Sequence, residues 1–190
     1  FEPTGAIVAA PTGSLPEVLG GGANWDYRFV WIRDAAFTVY ALLRVGLKAE
    51  AAAFMKWVEN LLCKLDANND GGRLRVMYDI HGDEQRREDC PPLEEVELPH
   101  LAGYGDSRPV RIGNAAEAQT QLDIYGELMD AIYLIDKHVE TISHVTWQRI
   151  IRHLVEPVMR EWRNPDHGLW EIRRPPAQHL YSKVIRPTPL

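Results

Sequence analysis

Four segments of this sequence repeat their apolar residues at the spacing of an α-helix, and this periodicity limits the fold more than any other feature. The first segment, "AAFTVYALLRV", is apolar nearly all round and stops at Gly46, which predicts a buried inner helix. The second, "KAEAAAFMKWVENLLCKL", has one apolar face opposite its lysines, which is typical of an outer helix. Together the two segments predict an αα-hairpin.

A second helix pair is predicted over residues 115–139 and 143–162. The apolar positions that recur at helical spacing are Leu122, Tyr125, Leu128, Ile132 and Ile135 in the first of these helices, and Trp147, Ile150, Leu154, Val158 and Trp162 in the second. Pro157 should kink or restart the second helix, because proline has no backbone N–H to donate. Short strands are predicted at "RLRVMYDI" and at "GAIVAA", the latter within an extended lead-in of residues 1–24. The sequence therefore predicts an all-α fold of stacked αα-hairpins, with one or two short strands in long loops.

Composition excludes several classes of partner. The 190 residues are 45% hydrophobic and carry a formal net charge of −6, so they can build one domain with a sizeable core. Nucleic acid and anionic membranes attract basic patches, but the sequence has no run of Lys or Arg and no apolar run that could span a membrane. Cys63 and Cys90 match neither a disulfide framework nor a metal-binding pair, so we expect two thiols in the reducing cytoplasm. A neutral or cationic small ligand fits this composition best.

No metal or cofactor is predicted. The stretch "DANNDGG", residues 66–72, resembles the opening of a calcium-binding loop, but Met77 stands where such a loop needs a bidentate Glu. A turn after a helix is therefore the favoured interpretation of this stretch. The seven histidines include no pair at metal-binding spacing, and no phosphate-binding, esterase or dinucleotide motif occurs.

Aromatic and charged residues are concentrated in the stretch "NWDYRFVWIRDAAF", which leads into the first apolar helix. A sugar site needs both kinds of side chain, because flat rings cover the C–H faces of a sugar and fixed polar groups bind its hydroxyls. Two structural alternatives remain open. Trp31 can be a core residue, and Arg33 with Asp34 can be an ion pair that only stabilises the fold.

Two further stretches lie at helix ends and carry candidate chemistry. "GYGDSRPVRIGN" contains Arg108 and Arg111, which could instead tie their loop to the preceding acidic segment. "NPDHGLWEIR" places Trp170 beside Glu171, and a carboxyl group against an indole can keep its proton and act as a general acid. The alternative for this last stretch is a simple turn with an exposed Glu. Loops at helix ends can gather at one end of stacked hairpins, so we expect the three stretches to converge there.

In this order, and with "YSK" following the third, the three stretches resemble glycoside hydrolase family 15, which contains glucoamylases, glucodextranases and a group of trehalases. The resemblance runs from about Thr4 to Val184. It implies an (α/α)6 barrel, of which residues 1–190 would be one partial catalytic domain, about the first half. It also implies hydrolysis, with inversion, of α-glucosidic bonds in small saccharides such as trehalose or malto- and isomalto-oligosaccharides.

The resemblance implies a role for each motif residue. Glu171 is the implied general acid, and Tyr27 is the implied tyrosine near the cleaved bond. Arg33 and Asp34 would bind the hydroxyls of the non-reducing glucose. The other residues implied to line the pocket are Trp31, Arg108, Arg111 and Trp170.

The resemblance also implies that one catalytic group is missing. The general base of the family is a second glutamate from later hairpins, and here the sequence after "YSKV" reads "IRPTPL" instead of continuing a helix. We therefore expect the 190-residue chain to be inactive alone, with the remainder of the parent catalytic domain as its partner. The alternative function is a non-catalytic helical module that binds carbohydrate or another partner.

Overall fold

The computed structural model of the protein describes residues 1–67, 73–82 and 92–185. The helices in these ranges are α1 (Ile32–Arg44), α2 (Lys48–Ala67), α3 (Asp123–His138), α4 (His144–Ile150), α5 (Glu156–Glu161) and α6 (Leu180–Val184). The strands form antiparallel pairs, β1 (Val30–Trp31) with β2 (Met77–Tyr78) and β3 (Val96–Leu98) with β4 (Val110–Ile112). The predicted all-α fold with short strands in its loops is confirmed. No helix in these ranges combines the length and apolarity needed to cross a membrane.

Helices α1 and α2 form a hairpin whose connection depends on Gly46. This glycine has a φ of 85°, in the left-handed region that glycine enters without strain. Its N–H donates to Leu43 O at 3.2 Å, and the N–H of Leu47 donates to Leu42 O at 2.9 Å, so carbonyls at the end of α1 are satisfied. Lys48 begins α2 directly afterwards. The short connection brings the two helices into contact, which confirms the first predicted hairpin.

Helix α1 is less buried than the buried inner helix that its sequence predicts. One face packs against α2 and α3, and its buried residues are Ile32, Arg33, Ala35, Ala36 and Val39. Another face leaves Phe37 53% exposed and Tyr40 50% exposed. The predicted burial therefore holds for one face of α1 in these residues and not for the face with Phe37 and Tyr40. Periodicity reports which positions are apolar, whereas the number of elements packed around a helix is a property of the tertiary fold.

The main core lies between α1, α2, α3 and α4 and contains most of the positions predicted from helical spacing. Those of α2 and α3 are buried, namely Phe54, Val58, Leu61, Leu62, Leu65, Leu122, Tyr125, Leu128, Ile132 and Ile135. In the last predicted helix Ile150, Leu154 and Val158 are buried, Trp147 is partly buried and Trp162 is exposed. A smaller cluster of Phe29, Trp31, Val76, Met77 and Ala116 joins β1 and β2 to the segment before α3.

Helix α3 begins at Asp123, later than the predicted start at residue 115. Residues Ala115–Ala118 form a separate 3₁₀ turn, which is capped because Asn114 Oδ1 accepts a hydrogen bond from Ala116 N at 3.0 Å. Gln119 then becomes extended, with a ψ of 152°. The prediction missed this break because the segment consists of good helix formers. The break is important, since it directs the residues before α3 toward the candidate site.

Helices α4 and α5 are joined by a π-helical turn, Ile151–Val155, so the chain is helical from His144 to Glu161. Pro157 lies at the start of α5. Its missing N–H cannot complete the regular hydrogen bonding of an α-helix, and an irregular turn precedes it. The predicted restart at this proline is confirmed.

Asp66, near the C-terminal end of α2, is bound by side chains of the following helices. It accepts hydrogen bonds from Arg149 Nε at 2.9 Å and from Arg152 Nη1 at 2.8 Å, and His153 Nε2 lies 2.7 Å from its Oδ1. The hydrogen bond with His153, followed by those of the two arginines, lowers the pKa of Asp66 to about 2. Asp66 therefore links α2 to α4. Residues 68–72, the rest of the calcium-like stretch, lie outside the described residues.

The loops differ in part from their predictions. "RLRVMYDI" contains the predicted strand as β2, although it is only two residues long. "GAIVAA" forms no strand in the fully described residues 1–24, although Ala9 N donates to Phe29 O at 2.9 Å and Ala10 N to Tyr27 O at 3.0 Å. Strands β3 and β4 were not expected from the sequence. Cys63 is a free, exposed thiol, and Cys90 lies outside the described residues.

Candidate active site

The loop that carries Glu171 docks on the segment before α3. Asp166 Oδ2 accepts from Leu122 N at 2.8 Å, and His167 N donates to Thr120 O at 2.8 Å. The residues of the first pair lie 44 positions apart in the sequence, and those of the second pair lie 47 positions apart. The docking of this loop fixes where Glu171 lies relative to the helices.

The Glu171 carboxylate is held by residues at the start of α1. Its Oε1 accepts a hydrogen bond from Trp31 Nε1 at 2.8 Å and another from Arg33 Nη2 at 2.8 Å. The side chain remains 24% exposed. In the described parts of the protein, no side chain donates a hydrogen bond to its second oxygen, Oε2. One oxygen is therefore held by the protein, while the other is available to a ligand.

Arg33 is buried and joins Glu171 to the start of α3. Its Nη1 donates to Gln121 Oε1 at 2.7 Å and to Asp123 Oδ2 at 3.1 Å. Burial alone lowers the pKa of Arg33, but the charges of Asp123 and Glu171 outweigh burial and raise it. The guanidinium thus stays charged, and its fork geometry fixes three neighbours at once.

A cavity of about 260 Å³ lies beside the Glu171 carboxylate. Its wall is formed by Glu17, Ala23, Trp25, Tyr27, Asn114, Ala116, Gln119, Trp170, Glu171 and Arg173. The mixture of aromatic rings, amides and charged groups suits a polar ligand that also has apolar faces. A larger groove along α2, near Lys56 and Trp57, is lined by none of the described residues from the three motif stretches.

Tyr27 lies between the buried cluster and the cavity. Its ring centroid is 5.7 Å from that of Trp31, and the two rings are tilted by 52°. Burial, followed by the negative charges of Glu17 and Glu171, raises the pKa of Tyr27. The phenol therefore stays protonated near neutral pH, and Tyr27 is one of the residues that line the cavity.

Trp25 is held in the cavity wall by two arginines. The guanidinium carbon of Arg173 lies 4.1 Å from the centre of the Trp25 ring, and that of Arg111 lies 4.6 Å away. Arg173 in turn donates to Glu95 Oε1 at 2.9 Å. The hydrogen bond from Arg173 lowers the pKa of Glu95 more than any other contact does. Charged groups of both signs therefore surround the Trp25 ring on this side of the cavity.

The structure brings together most of the residues that the motifs single out. Trp31 and Arg33 bind Glu171 directly, and Tyr27 and Trp170 line the same cavity as Glu171. Trp31 is a buried core residue, as the structural alternative predicts, and it does not belong to the lining of the cavity. The indole bonded to the carboxylate is that of Trp31, through its N–H, whereas the neighbouring Trp170 is 79% exposed.

Asp34 lies in the first turn of α1 and is exposed. The alternative in which Arg33 and Asp34 form an ion pair does not hold within the described residues, because Arg33 pairs with Asp123 and Glu171. Asp34 does not belong to the lining of the cavity, and partial desolvation raises the pKa of its carboxyl group although the nearby charge of Arg33 lowers it.

The two arginines of the second motif make contacts with their own surroundings. Arg108 is exposed and donates to Asp106 at 3.2 Å and to Leu101 O at 3.1 Å, and it does not belong to the cavity wall. Arg111 is half-buried and donates to Glu97 Oε1 at 3.1 Å and to Gly22 O at 2.8 Å. For Arg111 these contacts match the interpretation in which it ties its loop to the acidic segment.

Sequence reasoning missed the polar residues before α3. Gln119 Nε2 donates to Glu171 O at 3.3 Å, and Gln121 and Asp123 bind Arg33. The available signal was the run "QTQLD", which places amides and a carboxylate immediately before an apolar helix. That pattern repeats the feature by which the stretch around Arg33 was recognised.

The arrangement contains the kinds of groups that sugar binding requires. Aromatic rings line the cavity beside hydroxyl, amide and carboxyl groups, and Glu171 offers one carboxyl oxygen at its wall. Such a site does not by itself specify a reaction, since a carbohydrate-binding module needs the same groups.

Known proteins of similar sequence include several trehalases. A trehalase of Mycolicibacterium smegmatis is 42% identical over 97% of this chain and 26% of its own length. A trehalase of Thermoplasma acidophilum is 39% identical over 97% of this chain and 29% of its own length. Trehalase 1 of Sulfolobus acidocaldarius is 40% identical over 97% of this chain and 31% of its own length. The chain thus spans roughly a quarter to a third of these relatives.

A solved glycosidase variant has a similar fold. It matches with a TM-score of 0.55 at 19% identity, over 89% of this chain and 39% of that chain. Residues 2–186 of the sequence match the family described as Glycosyl hydrolases family 15. The chain therefore belongs to glycosyl hydrolase family 15.

Proposed function

We propose that this chain forms the acid-bearing part of an inverting glycoside hydrolase that cleaves the α-glucosidic bond of trehalose. The observation that carries the proposal is the Glu171 carboxyl group, which has one oxygen held by Trp31 and Arg33 and the other available at a cavity lined by aromatic and polar groups. Trehalose is chosen as the substrate because similar proteins from bacteria and archaea are named trehalases.

In the proposed reaction Glu171 is the general acid. The glycosidic oxygen would take the proton of Glu171 as its bond to the anomeric carbon breaks, so that one glucose leaves as a neutral alcohol. Both donors from the protein contact Oε1, so the transferred proton would be carried by Oε2. Trp31 and Arg33 would then also stabilise the carboxylate that remains after the transfer.

Water would complete the reaction at the opposite face of the sugar. It adds to the anomeric carbon and gives up a proton to a second carboxylate, which inverting enzymes hold about 6.5 to 9.5 Å from the acid. We place this second carboxylate in the part of the relatives that the chain does not span, as the family resemblance implies. The products would be two glucose molecules.

The remaining motif residues would bind the glucose that is attacked. Tyr27 supports this role because it presents a protonated phenol beside Glu171, and Asp34 supports it because its carboxylate is exposed next to Arg33. Trp170 would cover an apolar face of the sugar. The contacts of Arg33 favour a role in holding Glu171 over direct binding of the sugar, and those of Arg108 and Arg111 lend no support to a direct role.

The anomers of freshly released glucose test the proposal. The full-length protein that contains these 190 residues is incubated with trehalose, and the products are followed by NMR. Inversion at one anomeric centre of this α,α-linked disaccharide gives one β-glucose and one α-glucose. Release of α-glucose alone would contradict inversion, and hydrolysis of maltose or isomaltose but not trehalose would contradict the substrate assignment.

A further inference from the structure

Glu171 has a backbone conformation that residues other than glycine rarely adopt. Its φ is 52°, in the left-handed region, and its N–H donates to Gly168 O at 3.3 Å. A residue stays in this region only when the surrounding contacts hold it there. The contacts to the backbone of Glu171 therefore help to set the direction of its carboxyl group.

Two glutamine side chains connect that backbone to Arg33. Gln119 Nε2 donates to Glu171 O at 3.3 Å, and Gln119 Oε1 accepts from Gln121 Nε2 at 3.1 Å. Gln121 Oε1 accepts from Arg33 Nη1 at 2.7 Å. Arg33 Nη2 also donates to the Glu171 carboxylate at 2.8 Å, so the hydrogen bonds form a closed ring through both the backbone and the side chain of Glu171.

The ring determines the orientation of each amide group. Arg33 has only donors, so it needs the oxygen of Gln121, and the nitrogen of Gln121 then faces the oxygen of Gln119. The nitrogen of Gln119 is left for the Glu171 carbonyl group. A carboxylate at either glutamine position would leave two acceptors facing each other within the ring. Gln121 is 1% exposed, so water cannot readily replace the bonds it makes.

We propose that Gln119 and Gln121 are positioning residues, which hold the Glu171 carboxyl group in the direction needed to protonate the leaving group. Gln121 acts through Arg33 and Gln119, and Gln119 acts through the Glu171 backbone although it also lines the cavity. The inference rests on the proposed function, because it presupposes that Glu171 is the general acid.

The leaving group distinguishes a misplaced acid from a damaged sugar pocket. The alkoxide that leaves from trehalose needs a proton, whereas the fluoride that leaves from α-glucosyl fluoride is stable as an anion. A change in the direction of Glu171 should therefore slow trehalose hydrolysis and largely spare α-glucosyl fluoride hydrolysis. Damage to the binding of the attacked glucose, which both substrates share, should slow both reactions.

The experiment measures kcat and KM of the full-length protein for both substrates. Gln119→Met and Gln121→Met keep the length of the side chain and remove both hydrogen-bonding groups. We expect kcat for trehalose to fall about 10- to 100-fold with little change in KM, and kcat for α-glucosyl fluoride to stay near the parental value. Gln121→Glu keeps the acceptor for Arg33 and loses the donor to Gln119, so it should give the same pattern. Gln148→Met, at an exposed position of α4, is the matched control and should leave both activities unchanged.

The possible outcomes distinguish a failure of the positioning role of the two glutamines from a failure of the proposed function. Glu171→Gln supplies the reference ratio of the two activities for an enzyme without its acid. Equal losses on both substrates in the glutamine variants, or no loss on either, would overturn the positioning role. If Gln121→Met does not fold, Gln119→Met and Gln121→Glu decide the question by the same ratio. An unsubstituted protein that hydrolyses neither substrate would instead contradict the proposed function.

Discussion

Trp31 and Arg33 both donate to one oxygen of Glu171, and both residues come from the start of α1. Trp31 is packed in a buried aromatic cluster and Arg33 is fixed by Asp123, so neither donor can move far. Glu171 itself lies on a loop, yet residues of regular elements define the position of its carboxylate. A site built in this way keeps its geometry even when its own loop is exposed.

Replacement of the acid tests its chemistry without removing its hydrogen bonds. In Glu171→Gln the side-chain oxygen can still accept from Trp31 and Arg33, so the fold should be unchanged. We expect kcat for trehalose to fall by about 10²- to 10⁴-fold in the full-length protein, because an amide cannot donate the catalytic proton. Steady-state kinetics measures the loss, and thermal unfolding checks the fold. A variant with the parental kcat would exclude Glu171 as the acid.

Asp34 should matter for activity and not for stability. Its carboxylate is exposed and, in the described residues, forms no ion pair, so Asp34→Asn should leave the free energy of unfolding unchanged. If the carboxylate binds sugar hydroxyls, the amide should weaken transition-state binding by about 1.5 to 3 kcal/mol. The ratio of kcat/KM for trehalose between parent and variant measures this loss. Equal values would mean that Asp34 does not contact the substrate.

At the scale of elements, the contacts of Asp66 hold α2 against the helix that contains the π-helical turn. Two arginines and a histidine share one carboxylate, and Pro157 prevents the helix from being regular just beyond them. The hydrogen bonds of Asp66 thus attach to α2 the π-helical turn, in which regular α-helical hydrogen bonding is interrupted. Packing of Ile150 and Leu154 adds the apolar part of the same interface.

Loss of this carboxylate should destabilise the fold in a pH-dependent way. The pKa of Asp66 is lowered to about 2, first by the hydrogen bond with His153, from a value of about 3.9 in an unfolded chain. Its stabilisation is therefore complete above the unfolded pKa and is lost as the pH falls through the folded pKa. We expect Asp66→Asn to lower the free energy of unfolding at pH 7 by about 1 to 2 kcal/mol, measured by urea unfolding.

The acid range supplies the decisive comparison for Asp66. Between about pH 4 and pH 2 the parent should lose this stabilisation, and the stability difference from Asp66→Asn should shrink. Asp130→Asn, at an exposed position of α3, is the matched control, and its free energy of unfolding should change with pH as that of the parent does. A difference that does not depend on pH would mean that Asp66 acts through packing rather than through its charge.

At the scale of the whole molecule, the described helices cover one side of α1 and leave the side with Phe37 and Tyr40 exposed. The chain spans 26% of the length of the trehalase from M. smegmatis. A cavity with its acid on one wall needs a carboxylate on the opposite side for inversion, about 6.5 to 9.5 Å away. The proposed activity is therefore a property of more than these residues.

The 190-residue chain alone should fail to hydrolyse trehalose, whereas the full-length protein should succeed. The reason is the second carboxylate, which activates water and which we place outside this chain. Glucose release, measured at equal protein concentration, compares the two. Turnover by the short chain that Glu171→Gln abolishes would put the second carboxylate within these residues, and Glu17, in the cavity wall, would be the first to replace by Gln.

The helices could be predicted because their signals are local. Helical spacing located α2 and the apolar positions of α3, and Gly46 and Pro157 marked a stop and a restart, since each acts through its own backbone. The start of α3 could not be predicted in this way. Its preceding residues favour a helix locally, but Gln119 and Gln121 are drawn away from helical geometry by partners in other parts of the fold.

By itself the sequence determined the fold class and the family, because helical periodicity and motifs lie within short stretches of chain, and it predicted the residues of the candidate site. Only the tertiary structure decided how those residues are connected. Arg33 pairs with Asp123 and Glu171 rather than with its neighbour Asp34, and the indole that donates to Glu171 is that of Trp31, 140 positions away along the chain. The physical reason is that a buried charge must find partners in three dimensions, and the distance between them along the chain does not limit that choice.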